Sequence, residues 1–127
     1  MTSDKKVGHF GRLVPATKNS WAGLVAAYRY EMAFKQEVIL LVCLTPVAVV
    51  ISNGFIEFCL LMLAIVGILI AELLNSAVEA VVDRIGLERH ELSGRAKDLG
   101  SGAVFVAICY FLMVWGYKLV DFFILSS

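Results

Sequence analysis

Charged side chains vacate three stretches of this chain and crowd the segments between them. Between Glu37 and Glu57 lie 19 uncharged residues, between Glu57 and Glu79 only Glu72 is charged, and between Asp98 and Lys118 lie another 19. Each run approaches the roughly 20 residues that cross a hydrocarbon core about 30 Å thick. The pattern predicts three transmembrane helices, at 38–52, 55–85 and 94–121. Pro46 interrupts the first and should bend it, with Thr45 beside it to satisfy a freed backbone group. Ser52-Asn53-Gly54 reads as a tight external turn. A second helix from Phe55 to about Ile85 would measure roughly 46 Å at 1.5 Å per residue, so its C-terminal part must project beyond the hydrocarbon. Gly86 ends it, 86–93 forms a loop, and Ser93 can cap the third helix. Ser101-Gly102-Ala103 offers small side chains for close helix approach, and Trp115 and Tyr117 are placed to anchor the outer end. Lys118 and Asp121 suit a solvated pair; Glu57 reads as a solvated turn residue.

Ahead of these spans, residues 1–19 contain Gly8, Gly11 and Pro15 and read as a loose surface segment. Asn19 or Ser20 can cap a helix beginning at Trp21. Trp21, Leu24, Val25, Tyr28 and Met32 recur at helical spacing, which predicts an amphipathic helix over 20–36 lying in the membrane interface. A cytoplasmic extension of the first span is the alternative.

Composition agrees: 60% of the 127 residues are hydrophobic, more than a soluble domain of this size can use. The expectation is a single all-α membrane domain. A formal net charge of +0 conceals an asymmetry. Lys5, Lys6, Arg12, Lys18, Arg29 and Lys35 precede the first span, and Arg84, Arg89, Arg95 and Lys97 lie between the second and third. Only Lys118 lies near the C-terminus, so the positive-inside bias predicts a cytoplasmic N-terminus and 83–98 loop, with the C-terminus periplasmic. The first twenty residues carry no apolar h-region, so no cleaved signal peptide is expected. Cys43, Cys59 and Cys109 each sit in an apolar run without a second Cys or a His nearby, and are expected as buried thiols.

One polar stripe changes the picture. At about 100° per residue, Glu72, Asn75, Glu79 and Asp83 share one narrow helical face. Ionisable groups in a membrane helix are costly without partners and mark a functional site by default; a polar seam that only joins helices is the plain alternative. Glu31, Glu88, His90, Lys97, Asp98, Arg12 and Arg95 gather on the same side of the membrane. Carboxylates suit hard cations such as Mg²⁺, and neighbouring basic groups suit phosphates. This favours phosphoryl transfer, in which positioning and electrostatics do most of the catalysis. A proton or cation carrier could use the same carboxylates, and a structural adaptor would need none of them.

Glu72-Leu-Leu-Asn-Ser-Ala-Val-Glu-Ala-Val-Val-Asp-Arg-Ile-Gly86, followed by His90-Glu-Leu-Ser-Gly-Arg-Ala-Lys-Asp98, resembles the signature of the bacterial integral-membrane diacylglycerol kinases. Glu31-Met-Ala-Phe-Lys-Gln-Glu37, after Ser20-Trp21, is similar to that family's N-terminal segment. The resemblance runs from about Arg12 to Trp115; Pro15 and Asn19 depart from the family's usual pattern. It implies three transmembrane helices and a surface helix, a homotrimer with active sites shared between subunits, and Mg-ATP-dependent phosphorylation of diacylglycerol at the bacterial inner membrane. By matching motif, Glu72 would be the general base on the lipid hydroxyl, Glu31 and Glu79 would hold Mg²⁺, and Asn75 would position the γ-phosphate region. Lys97 and Asp98 would contact ATP, as would Glu88, Arg89 and His90, with Arg12 and Asn19 contributing. Arg12, the Ala16–Trp21 stretch with Ser20, Ser101 and Trp115 would contact the lipid. Phosphorylation of undecaprenol by the sister branch is the rival implication, and nothing in the chain points to nucleic acid.

Overall fold

A computed structural model of the chain describes residues 8–126; Lys5, Lys6 and the start of the expected loose segment lie outside them. A short 3₁₀ turn, His9–Arg12, leads into helix α1, Leu13–Tyr30. Helix α2 spans Met32–Ile51, α3 Phe55–Ile85 and α4 Glu91–Val120, the last continuing as a π-helical turn, Asp121–Leu125. Three helices are long and apolar enough to cross a membrane: Met32–Ile51, Phe55–Ile85 and Glu91–Leu125. The architecture is all-α, three candidate spans plus an N-terminal helix.

Helix α1 begins at Leu13, not at Trp21. Pro15 falls in its first turn, where a missing N–H leaves no bond unmade. The Ser20 hydroxyl, expected as a cap, instead donates to Ala16 O at 2.9 Å within the helix. Nor does α1 run to residue 36 or merge with the first span. Glu31 is extended (φ −107°, ψ 108°) and makes a one-residue corner between α1 and α2. Glu37 therefore stands inside α2 rather than ahead of it.

Helix α3 is central: α4 packs along it most extensively, and α2 lies against another of its faces. The core joins Ala48 and Ile51 of α2, Leu61, Ala64 and Ile65 of α3, and Trp115 of α4. Ala48 and Ala64 are small enough to let these backbones approach. The Trp115 indole N–H donates to Leu61 O at 3.0 Å, so this residue staples α4 to α3 instead of anchoring in headgroups; Tyr117 remains exposed. Gly54 makes the α2–α3 turn at φ 102°, a left-handed conformation that favours glycine.

Several local expectations are corrected. Lys118 is buried, and its ammonium bonds Glu57 at 2.7 Å as well as Asp121 at 3.3 Å. Glu57 also accepts the Asn53 backbone N–H at 2.7 Å. The expected Lys118–Asp121 pair forms, but it is buried at Lys118 and joined by Glu57 in one linked cluster. Thr45 donates to Leu41 O at 2.6 Å, one position short of the Val42 carbonyl that Pro46 deprives of a donor, and α2 continues through the proline. Cys43, Cys59 and Cys109 are free and exposed on the single chain, because their helical phase points them away from the core. Ser101, Gly102 and Ala103 are exposed too; the close approach of α4 to α3 falls one residue earlier, at Gly100.

Candidate active site

The cytoplasm-predicted half of α3 carries Glu72, Asn75 and Glu79, each partly buried, and the more exposed Asp83. Spacings of three and four keep them on one face. Asn75 Nδ2 donates to Glu79 Oε1 at 3.3 Å, one turn along. Helix α2 adds a residue to which the sequence assigned no role in the site: the Glu37 carboxyl faces that of Glu72. Glu31 at the α1–α2 corner and Glu79 both lie close enough to act electrostatically on Glu72. Four carboxyl groups from three elements thus converge, and among the described residues none of them makes an ion pair within 4 Å. The available signal for Glu37 was a lone carboxylate at the mouth of an apolar run, weaker than the polar stripe that marks Glu72.

Two acceptors in this region are buried without a hydrogen-bond partner, Glu37 Oε2 and Asn75 Oδ1. Such atoms are uncommon, and each calls for an explanation such as ligand binding or a catalytic role. Among the described residues no group of three or more His, Cys, Asp or Glu is placed to hold a metal by itself. Mg²⁺ needs fewer: it takes one or two carboxylates and completes its shell with water and substrate phosphates. An oxygen-only donor set without counter-ions therefore fits a metal that arrives with a nucleotide.

Beyond this stripe, Asp83 bonds Lys97 of α4 at 2.8 Å, not Arg84 or Arg95; Arg95 pairs with Glu91 on its own helix at 3.2 Å. Glu88, Arg89 and His90 form the exposed α3–α4 loop and, with Asp83, Ser93 and Lys97, line a cleft of about 200 Å³. His90, not Ser93, caps α4: its Nδ1 accepts the Leu92 N–H at 3.1 Å. Asp98 is exposed one residue beyond Lys97.

A second, apolar groove of about 560 Å³ runs between α1 and α3, lined by Ser20, Ala27, Tyr30, Glu31, Leu73 and Ser76 among others. It places Ser20 on the same groove as Glu31, one member of the acidic cluster. Other N-terminal residues are not brought there. Trp21 lies on a different face of α1 with Leu13, Val14 and Lys18, and Arg12, Ala16 and Asn19 are exposed. Arg12 precedes the 18-residue α1 and Glu31 follows it, a separation of about 27 Å along the helix. Trp115 is also absent from the cluster: its partner Leu61 stands about 16 Å along α3 from Glu72. Ser101 is exposed next to Gly100.

Comparison with known proteins places this geometry in a family. Residues 18–119 match the family model of prokaryotic diacylglycerol kinases. The chain is 49% identical over 104 residues to the diacylglycerol kinase of Haemophilus influenzae, covering 82% of this chain and 88% of that protein. With the diacylglycerol kinase of Escherichia coli strain K12 it shares 46% identity over 106 residues, 84% of this chain and 87% of the relative. The diacylglycerol kinase of Helicobacter pylori strain 26695 is 34% identical over 119 residues, 94% and 93% of the two chains. With all of its acidic stripe inside the matched region, the chain belongs to the prokaryotic diacylglycerol kinase family.

Proposed function

We propose that this chain phosphorylates diacylglycerol with ATP, and that the carboxyl cluster at Glu72 is where the phosphoryl group is transferred. The observation that carries the site is the convergence of Glu31, Glu37, Glu72 and Glu79 with no cation paired to them among the described residues, beside two buried acceptors that lack donors there. Glu72 takes the proton from the lipid's free hydroxyl as that oxygen attacks the γ-phosphorus. A new O–P bond forms, the bond to the β,γ-bridging oxygen breaks, and ADP leaves with its electron pair; phosphatidic acid and a protonated Glu72 remain. Glu37 faces the base and helps to fix its carboxyl group. Glu31 and Glu79 would hold Mg²⁺, which when bound neutralises phosphate charge. Asn75 orients Glu79 and directs its carboxamide toward the γ-phosphate region, while Lys97, Asp98 and the 88–90 loop receive the nucleotide from the aqueous side.

The lipid enters by the apolar groove at Ser20 and Glu31. Arg12 stands too far along α1 to reach its own chain's cluster, and Ala16 and Asn19 are exposed, which supports a homotrimer in which one subunit's α1 completes a neighbour's site. The whole chain forms one domain of the bacterial inner membrane, with spans within 38–52, 55–85 and 94–121. Its N-terminus and 83–98 loop are cytoplasmic and its C-terminus periplasmic.

The test is transfer of labelled γ-phosphate from Mg-ATP in mixed micelles, with diacylglycerol, undecaprenol or no lipid added. Label on diacylglycerol is expected. Label on undecaprenol alone, or on neither lipid with folded protein, would overturn the assignment.

A further inference from the structure

Helix α4 has four glycines, and only one of them meets a neighbour. A Cβ built on Gly94, Gly102 or Gly116 would have nothing within 4 Å. A Cβ on Gly100 would fall on Asn75 Oδ1, and would lie 3.3 Å from its Cγ and 3.6 Å from its Cα. We propose that Gly100 is a positioning residue for phosphoryl transfer: its bare Cα holds open the space that fixes the Asn75 carboxamide. This rests on the reading of Asn75 as part of the site.

The orientation follows from chemistry. A carboxylate can only accept, so the NH₂ group of Asn75 must face Glu79, to which it donates at 3.3 Å. The amide oxygen is thereby turned toward α4, where it is buried and has no hydrogen-bond donor. The bare Cα of Gly100 stands beside it, where a Cα–H can make at most a weak contact that any L side chain at position 100 would abolish. Glycine is unfavourable within a helix relative to alanine, so its place here calls for a local reason. The atom most crowded by a new Cβ is the tip of a side chain; the Asn75 backbone would remain at ordinary contact distance. Gly100→Ala should therefore leave the helices packed and rotate the carboxamide away from Glu79.

The experiment is a double-mutant cycle on the full-length protein in mixed micelles with diacylglycerol: wild type, Gly100→Ala, Asn75→Ala and the double variant. Mg-ATP affinity is measured by calorimetric titration and the thermal midpoint alongside turnover. Gly100→Ala is expected to keep the thermal midpoint and the KM for diacylglycerol, and to lose roughly tenfold in kcat/KM for Mg-ATP or in its affinity. On the Asn75→Ala background the same change should alter both quantities less than twofold, because residues that act through one another are not additive. An equal loss in both backgrounds, or Gly100→Ala with wild-type kinetics, would overturn the proposal while leaving the reading of Asn75 intact. Wild-type kinetics in Asn75→Ala would overturn that reading as well.

Discussion

At the Lys118 end of the α3–α4 pair, one buried ammonium holds two carboxylates, Glu57 at 2.7 Å and Asp121 at 3.3 Å, and the Trp115 indole is bonded to Leu61. At the Glu72 end, four carboxyl groups meet without a cation among the described residues, and two buried oxygens have no donor there. Both ends place ionisable groups in apolar helices, which is costly. The first closes its polarity within the chain and so acts as a clasp. The second leaves its polarity open, as a site must if nucleotide phosphates, a cation and a lipid hydroxyl are to complete it. An intramembrane charge is therefore informative according to whether the fold already satisfies it.

This contrast can be broken by substitution. Glu72→Gln should have the largest effect on chemistry, at least ~100-fold in turnover, since general-base catalysis is typically worth 10²–10⁴, with little change in thermal midpoint. Lys118→Met should do the reverse: two carboxylates lose their shared cation, the midpoint falls by several degrees, and the specific activity of the folded fraction survives. Lys97→Ala should raise the KM for Mg-ATP several-fold without lowering the midpoint, because its ion pair with Asp83 is half exposed and exposed pairs add little to stability. Trp115→Phe should be the mildest. It removes one buried hydrogen bond, worth about 1 kcal/mol, and should not change turnover. A loss of activity in well-folded Trp115→Phe would return that residue to the lipid site that the family resemblance implied.

The three long helices and the Glu72–Asn75–Glu79 stripe were readable from the chain because both are local periodicities. An apolar run needs only its length, and a helical face only its spacing of three and four. What was not readable depends on how helices cross. Glu37 joins Glu72 because α2 starts at Met32 and carries it alongside α3. Gly100 matters only once α4 lies against Asn75, and Glu57 meets Lys118 only when the loop after Ile85 folds α4 back along α3. The α4 cap was missed for a different reason. Histidine is not among the usual capping residues, and here its ring nitrogen does the work that Ser93 was expected to do. The start of α1 is not legible because Pro15 reads in the sequence as a break, although proline is well tolerated in a first turn.

The most direct test of this account is the initial rate of label transfer from Mg-ATP to diacylglycerol by Glu72→Gln, at folded-protein concentration matched to wild type. The account predicts a rate lower by at least ~100-fold with Mg-ATP affinity retained. A rate within a few-fold of wild type would contradict it, and would move the proton-accepting role away from the carboxyl cluster on α3.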